Sequence, residues 1–190
     1  MIFADKILYP CPFNTNDTDG NAWPTSEVRA SLNGGNYVSG TYPAGESFYE
    51  LAFKDSEKSI IKLTSIKTYK YNSSSDEVKD SPSQDYVFLL DVNEIQDKNT
   101  DYGFKSDDDR VTEVTDYAEK KGAFRYIGKG PFWLRSPGEP GDGYYLAAHV
   151  DLDGTVDMDL PVNDYSLGVR PALYLDLNSV LFASKAEGGK

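Results

Sequence analysis

Apolar and polar positions follow two different rhythms along this chain, and the change of rhythm predicts an α+β domain. In the first two thirds, short apolar groups stand between polar stretches. A helix is expected over 26–32: Pro24 and Thr25 suit its start, and Asn33-Gly34-Gly35 ends it with residues that tolerate positive φ. A second short helix fits 45–53. Residues 59–71 favour a strand, since Ile60, Ile61, Thr64, Ile66 and Thr68 are β-branched. The run 72–84 is polar, contains Pro82 and reads as a surface loop. Residues 86–90 form an apolar run of strand length, and Asp91 with Glu94 three residues on makes a capping-box pattern. Thr112 is expected to cap a helix that reaches Lys121, with Val114, Tyr117 and Ala118 on one face and Gly122 as its stop.

From Ala123 onward the pattern is β. Strands are expected over 123–127, 132–135, 147–152, 156–160 and 169–177, parted by turns at Gly128, Pro137-Gly138, Pro140-Gly141 and Asp153-Gly154. The expected architecture is therefore two or three helices on a mainly antiparallel sheet, with a β-rich C-terminal third. No internal repeat of useful length is present, and 1–190 reads as one domain whose last residues, 183–190, look like a cut made at a linker.

The hairpin at Asp153-Gly154 can be registered from side chains alone. A two-residue loop would set Leu152 opposite Thr155 and Val150 opposite Asp157, mixing apolar and charged groups on one face. A three-residue loop, Asp153-Gly154-Thr155, pairs Leu152 with Val156, Val150 with Met158 and Ala148 with Leu160. One face is then wholly apolar, and its burial selects this register. Gly154 is expected in a left-handed conformation. On the other face Asp151 would meet Asp157 and His149 would meet Asp159. Opposed like charges destabilise a sheet, by about a few tenths of a kcal/mol or more.

Charge sharpens that face. The chain has 31 acidic against 19 basic residues, a formal net charge of −12, and 136–169 holds seven Asp and Glu with no Lys or Arg. Such a surface repels nucleic-acid phosphates and anionic lipid, so neither is expected as a partner. No stretch has the length of a membrane span, and the residues after Met1 do not read as a signal peptide. The composition, 39% hydrophobic and 13% aromatic with fourteen Tyr, is that of a globular chain.

Catalytic chemistry finds little support. Cys11 is the only cysteine and His149 the only histidine, so neither a disulfide nor a conventional His/Cys zinc site can form within the chain. No nucleophile elbow, GxGxxG or Walker A pattern occurs. His149 sits in a strand pattern as a cross-strand partner rather than a base. No enzyme activity and no cofactor are expected; a carboxylate-dependent hydrolase is the remaining catalytic alternative. Asp151, Asp153 and Asp157 are a Ca²⁺ candidate that lacks the full spacing of an EF-hand loop.

Binding has better candidates. Tyr144 and Tyr145 precede the hairpin and Asn163-Asp164-Tyr165-Ser166 follow it; these are residue types that recognition loops favour. With His149, Asp151, Asp157 and Asp159 they form the expected ligand surface. Trp133, Arg135, Gly154 and Arg170 are the expected scaffold, the two arginines anchoring acidic loops by charge-assisted hydrogen bonds.

The segments Phe132-Trp-Leu-Arg-Ser-Pro-Gly138, Ala147-Ala-His-Val-Asp-Leu-Asp-Gly154, Gly168-Val-Arg-Pro-Ala-Leu173 and Asn178-Ser-Val-Leu-Phe182 resemble a domain family of bacterial surface proteins. Ser31-Leu-Asn33 and Tyr86-Val-Phe-Leu-Leu90 also fit. That family is similar to the C-type-lectin-like fold of formylglycine-generating enzymes and of diversity-generating-retroelement variable proteins. The resemblance implies a rigid C-terminal scaffold that displays a variable surface, here about 144–166. It also implies a location outside the cell and a protein or glycan ligand. The cysteines on which formylglycine generation relies are missing. A structural module of a larger surface protein, without a small ligand, is the main alternative.

Overall fold

The structure, a computed structural model, describes residues 1–17, 20–34, 46–68, 82–97, 104–138 and 145–178. It is mixed α+β. Among the described residues the α-helices are six and short: α1 (Glu27–Asn33), α2 (Phe48–Ala52), α3 (Asp55–Lys58), α4 (Val92–Gln96), α5 (Asp107–Arg110) and α6 (Asp116–Lys120). The strands are β1 (Ile2–Phe3), β2 (Tyr9–Pro10), β3 (Thr64–Ile66), β4 (Ser83–Asp85), β5 (Val87–Phe88), β6 (Phe132–Pro137), β7 (Leu146–Val150), β8 (Val156–Pro161), β9 (Gly168–Val169) and β10 (Ala172–Leu173). A five-stranded sheet runs β2-β9-β6-β7-β8, a three-stranded sheet runs β1-β10-β5, and β3 pairs with β4. All these pairings are antiparallel except β6 with β9.

Four helix starts follow from side-chain caps, Thr115 opening α6 by accepting from the Ala118 amide. Ser26 accepts a hydrogen bond from the Arg29 amide and opens α1. Ser47 does the same for Glu50 and opens α2. At α4 the expected capping box is complete: Asp91 Oδ1 accepts from the Glu94 amide at 2.8 Å, and Glu94 Oε2 accepts from the Asp91 amide at 3.0 Å.

Elsewhere tertiary pairing overrides the local pattern. Thr112 does not cap a helix; its hydroxyl donates to the Asp5 carbonyl, and α6 starts at Thr115. The reason lies in the backbone between them. Ile7 donates to the Glu113 carbonyl, Val114 donates to Gly128 and Thr115 donates to Ile7. Residues spoken for by neighbouring chain segments cannot begin a helical ladder. Val114 is therefore buried ahead of the helix, and Tyr117 faces outward, 61% exposed.

The strand expected over 59–71 shortens to β3, because Glu57 accepts a hydrogen bond from the Lys54 amide and α3 forms just before it. Residues 69–71 lie outside the described residues, as do 72–81 of the polar run. Ser83 and Gln84, expected in that loop, belong to β4, and Ser83 is buried. Residues 123–127 do not form a strand. Tyr126 and Lys129 exchange both backbone hydrogen bonds around Ile127-Gly128, and both of those residues have positive φ (49° and 82°). This is the geometry of a type I′ turn.

The strand expected over 169–177 is cut in two by Arg170-Pro171. Proline has no N–H to give to a ladder, so the chain leaves the five-stranded sheet after Val169 and enters the three-stranded sheet at Ala172. The hydrophobic core is one cluster that links both sheets, from Ile7 and Phe13 through Phe88 and Leu89 to Trp133 and Leu173. No described helix is long and apolar enough to cross a membrane.

Candidate ligand-binding surface

The surface is held from below by β6, whose first five residues are buried. Trp133 packs edge-on against Phe13, with ring centroids 5.9 Å apart, and its indole N–H donates to the Cys11 carbonyl at 2.8 Å. Cys11 itself is buried, as are Pro12, Phe13 and Asn14 after it. Arg135 is 2% exposed and spends its donors on Asp91 (3.0 Å), Glu94 and the carbonyls of Leu89 and Lys67. Burial pushes the Asp91 carboxyl up, with Arg135 pulling it down and Glu94 adding repulsion. Burial alone would lower the Arg135 guanidinium, but Glu94 and Asp91 hold it above its ordinary value. Arg135 does not anchor the acidic loops of the hairpin: its carboxylates are Asp91, which caps α4, and Glu94 within it.

Arg170 differs from its expected role. Its Nε donates to the Ala4 carbonyl at 2.8 Å, and its guanidinium lies 4.1 Å from the Phe3 ring centroid, 5.2 Å from Phe132 and 5.8 Å from Phe104. Among the described residues no carboxylate hydrogen-bonds it. Burial pushes it down to about 10. Aromatic faces, not acidic loops, hold this cation.

The hairpin loop has three residues, as expected, but its frame is shifted. Val150 pairs with Val156 and His149 with Asp157. Asp151 and Thr155 face each other through the Asp151 amide, so the loop is Leu152-Asp153-Gly154. Gly154 donates to the Asp151 carbonyl and has φ +85°, the third-position left-handed glycine of a type I turn with a G1 bulge. The earlier register put the glycine second, where this loop does not need it. The shift moves Val150 from Met158 to Val156, two residues along, so the inward and outward faces are unchanged. Beyond a bulge between Ala147 and His149, Leu160 pairs with Ala147 and not with Ala148 as expected.

A feature with no strong sequence signal locks this tip. Arg110 in α5 is buried and donates from Nε to the Gly154 carbonyl at 2.7 Å, while also pairing with Asp107. A side chain at Gly154 would place its Cβ 1.8 Å from the Asp107 carbonyl oxygen. Nothing in the run Asp107-Asp-Asp-Arg110 announces that its arginine turns inward, because a charged tetrapeptide reads as solvated.

The expected ligand residues divide into four groups. Asp151, Asp164 and Ser166 are engaged in local turns: Asp151 accepts from the Leu152 amide, and Asp164 accepts from the amide and hydroxyl of Ser166. Asp153 likewise accepts from the amide and hydroxyl of Thr155. His149 is not on the surface; it is 5% exposed, edge-on to Trp133, and its Nδ1 has no hydrogen-bond partner. Burial lowers its pKa, against the opposing pull of Asp157, Asp151, Asp159 and Asp164. Tyr144 lies outside the described residues. The last group is free: Tyr145, Asp157, Asp159, Asn163 and Tyr165 are exposed, and among the described residues their side chains take no hydrogen bond, salt bridge or ring contact.

The Ca²⁺ candidate does not assemble. Among the described residues no group of three or more His, Cys, Asp or Glu side chains stands together to hold a metal, so Asp151, Asp153 and Asp157 make no such site. Described residues line two concavities. One of about 420 Å³ lies beside the hairpin tip, against Leu152, Asp153, Asp108, Tyr126 and Lys129. The other, of about 290 Å³, is lined by Ile2, Phe48, Phe53, Ile60, Leu173 and other apolar groups, with Glu57 the only charged one among the described residues.

The family model for Domain of unknown function (DUF6273) matches residues 1–177. The chain belongs to this family. Neither a curated protein nor a solved structure matches it. The match spans the scaffold and the whole hairpin.

Proposed function

We propose that this domain is a non-catalytic binding module that presents Tyr145, Asp157, Asp159, Asn163 and Tyr165 to a macromolecular ligand. The observation that carries the reading is a contrast between α5 and β6 on one side and the hairpin with its flanks on the other. Trp133, Arg135 and Arg110 are buried and bonded to fixed partners, whereas the five side chains above them are exposed and unengaged. Rigid support beneath free polar and aromatic groups is what a recognition surface requires, because less side-chain and loop entropy is lost on binding. Two exposed tyrosines add area at low entropy cost. The resemblance to variable proteins of the C-type-lectin-like fold supports the same reading, with receptor or adhesive function outside the cell and a protein or glycan ligand.

The test is a screen against glycan and cell-surface protein panels, run with the parent and with a variant carrying Ala at all five positions. The variant is expected to keep its fold, since all five side chains are exposed, and to lose the ligand. A ligand that binds both forms equally would move the site elsewhere. Absence of any ligand would favour a structural module of a larger surface protein.

A further inference from the structure

We infer that the turn at Ile127-Gly128 and the recess beside it form a surface that pairs with a second copy of this chain about a two-fold axis. The inference is independent of the binding reading above, since it uses none of the five residues assigned to the ligand.

Ile127 carries the argument. Among the described residues it is the only one other than glycine with a positive φ, 49°. A branched Cβ is crowded there, and the first central position of a type I′ turn normally holds Asn, Asp or Gly. The fold gains no burial in exchange. Ile127 is 79% exposed, the most of any large hydrophobic residue described, and Tyr126 before it is 62% exposed. A strained backbone that holds an apolar side chain out in water marks a group used by something outside the chain.

The recess supplies the complement. It is the concavity of about 420 Å³ at the hairpin tip, and the turn itself lines it together with Val111, Leu152, Asp108 and Asp153. Arg110 ties α5 to the Gly154 carbonyl, so two of its walls are fixed to each other before anything binds. Asp153 is engaged by Thr155. Lys129 and Asp108 are exposed, and among the described residues neither side chain has an ion pair or a hydrogen bond. One surface thus carries an apolar prominence, a recess with apolar walls, a free cation and a free carboxylate.

A second copy matches all four at once. Prominence and recess adjoin on one molecule, so a two-fold axis sets each turn against the other copy's recess and each Lys129 against the other copy's Asp108. An acidic or a basic partner would answer only one of the two charges. A purely apolar one would leave both desolvated and unmatched, which is costly. The net charge of −12 repels two copies at a distance. That repulsion is screened beyond about 8 Å at physiological ionic strength, whereas ion pairs closed off from water on contact are screened much less.

The test is sedimentation equilibrium of the whole chain over a concentration series at physiological ionic strength, with I127N, I127G, D108K and K129D beside the parent. The parent is expected to dimerise as its concentration rises. I127N and I127G are expected to weaken the dimer about tenfold, because each removes the apolar side chain from the contact. Their monomers, melted at low concentration, are expected to match or exceed the parent, because Asn and Gly accept the left-handed backbone. D108K and K129D are each expected to stay monomeric alone and to associate when mixed, since the mixture restores both opposite-charge contacts. A parent that stays monomeric over the whole series overturns the inference. So does an I127N that dimerises as the parent does. A large drop in the melting temperature of both Ile127 variants would show the side chain serving the monomer's own fold, and the inference would fall. Folded D108K and K129D that do not associate on mixing would overturn the two-fold pairing.

Discussion

Two acidic regions of this molecule invite comparison. Around Arg135, the carboxylates Asp91 and Glu94 converge on one buried guanidinium that also satisfies two backbone carbonyls. On β8, Asp157 and Asp159 stand in solvent with no cation near them among the described residues. The first region shows the chain meeting the cost of buried charge by complete pairing. The second shows that exposed charge can be left unpaired at little cost to the fold. Structure and function are therefore written in the same residue types, and burial separates them.

The largest expected effect lies at the buried end of the comparison. Arg135→Met removes the cation from between two carboxylates and orphans two carbonyls. A loss of about 3–5 kcal/mol is expected, read from chemical denaturation. A loss below about 1 kcal/mol would show that water replaces the guanidinium and that the region is less closed than its geometry.

His149 sits between the two regimes. Its pKa in the folded chain is lowered by burial, so the unfolded chain binds the proton more readily. The stability it contributes is complete above its ordinary value of about 6.5 and is lost as pH falls through its lower folded value. The melting temperature of the parent is expected to drop across that window more steeply than that of His149→Gln. Parallel curves would place the imidazole in contact with water.

The smallest effect belongs to the surface. D157N/D159N is expected to change stability by only about a few tenths of a kcal/mol, in the stabilising direction, because it relieves like-charge repulsion. It also removes two groups that favour the protonated imidazole, so the acid sensitivity due to His149 should deepen. A large destabilisation would turn these residues into scaffold and remove the contrast on which the binding surface rests.

Much of the fold was legible where one short-range rule acts alone. The capping box of Asp91 and Glu94, a helix close to 26–32, the length of the hairpin loop and the left-handed Gly154 all follow from neighbours within a few residues. The outward placement of Asp157 and Asp159 followed from alternation and survived a change of register, because a shift of two residues preserves the faces.

What the sequence by itself determined, then, is local chemistry and the parity of strands. Tertiary structure decided the rest, for a physical reason: backbone donors and acceptors can be claimed by segments far away in the chain. Such pairing turned 112–115 into extended chain before α6. A missing N–H at Pro171 moved the chain between sheets. Packing buried His149 beside Trp133, surrounded Arg170 with phenylalanines and drew Arg110 onto the hairpin tip. Each of these depends on a partner many residues away, and no periodicity or cap within the segment carries that information.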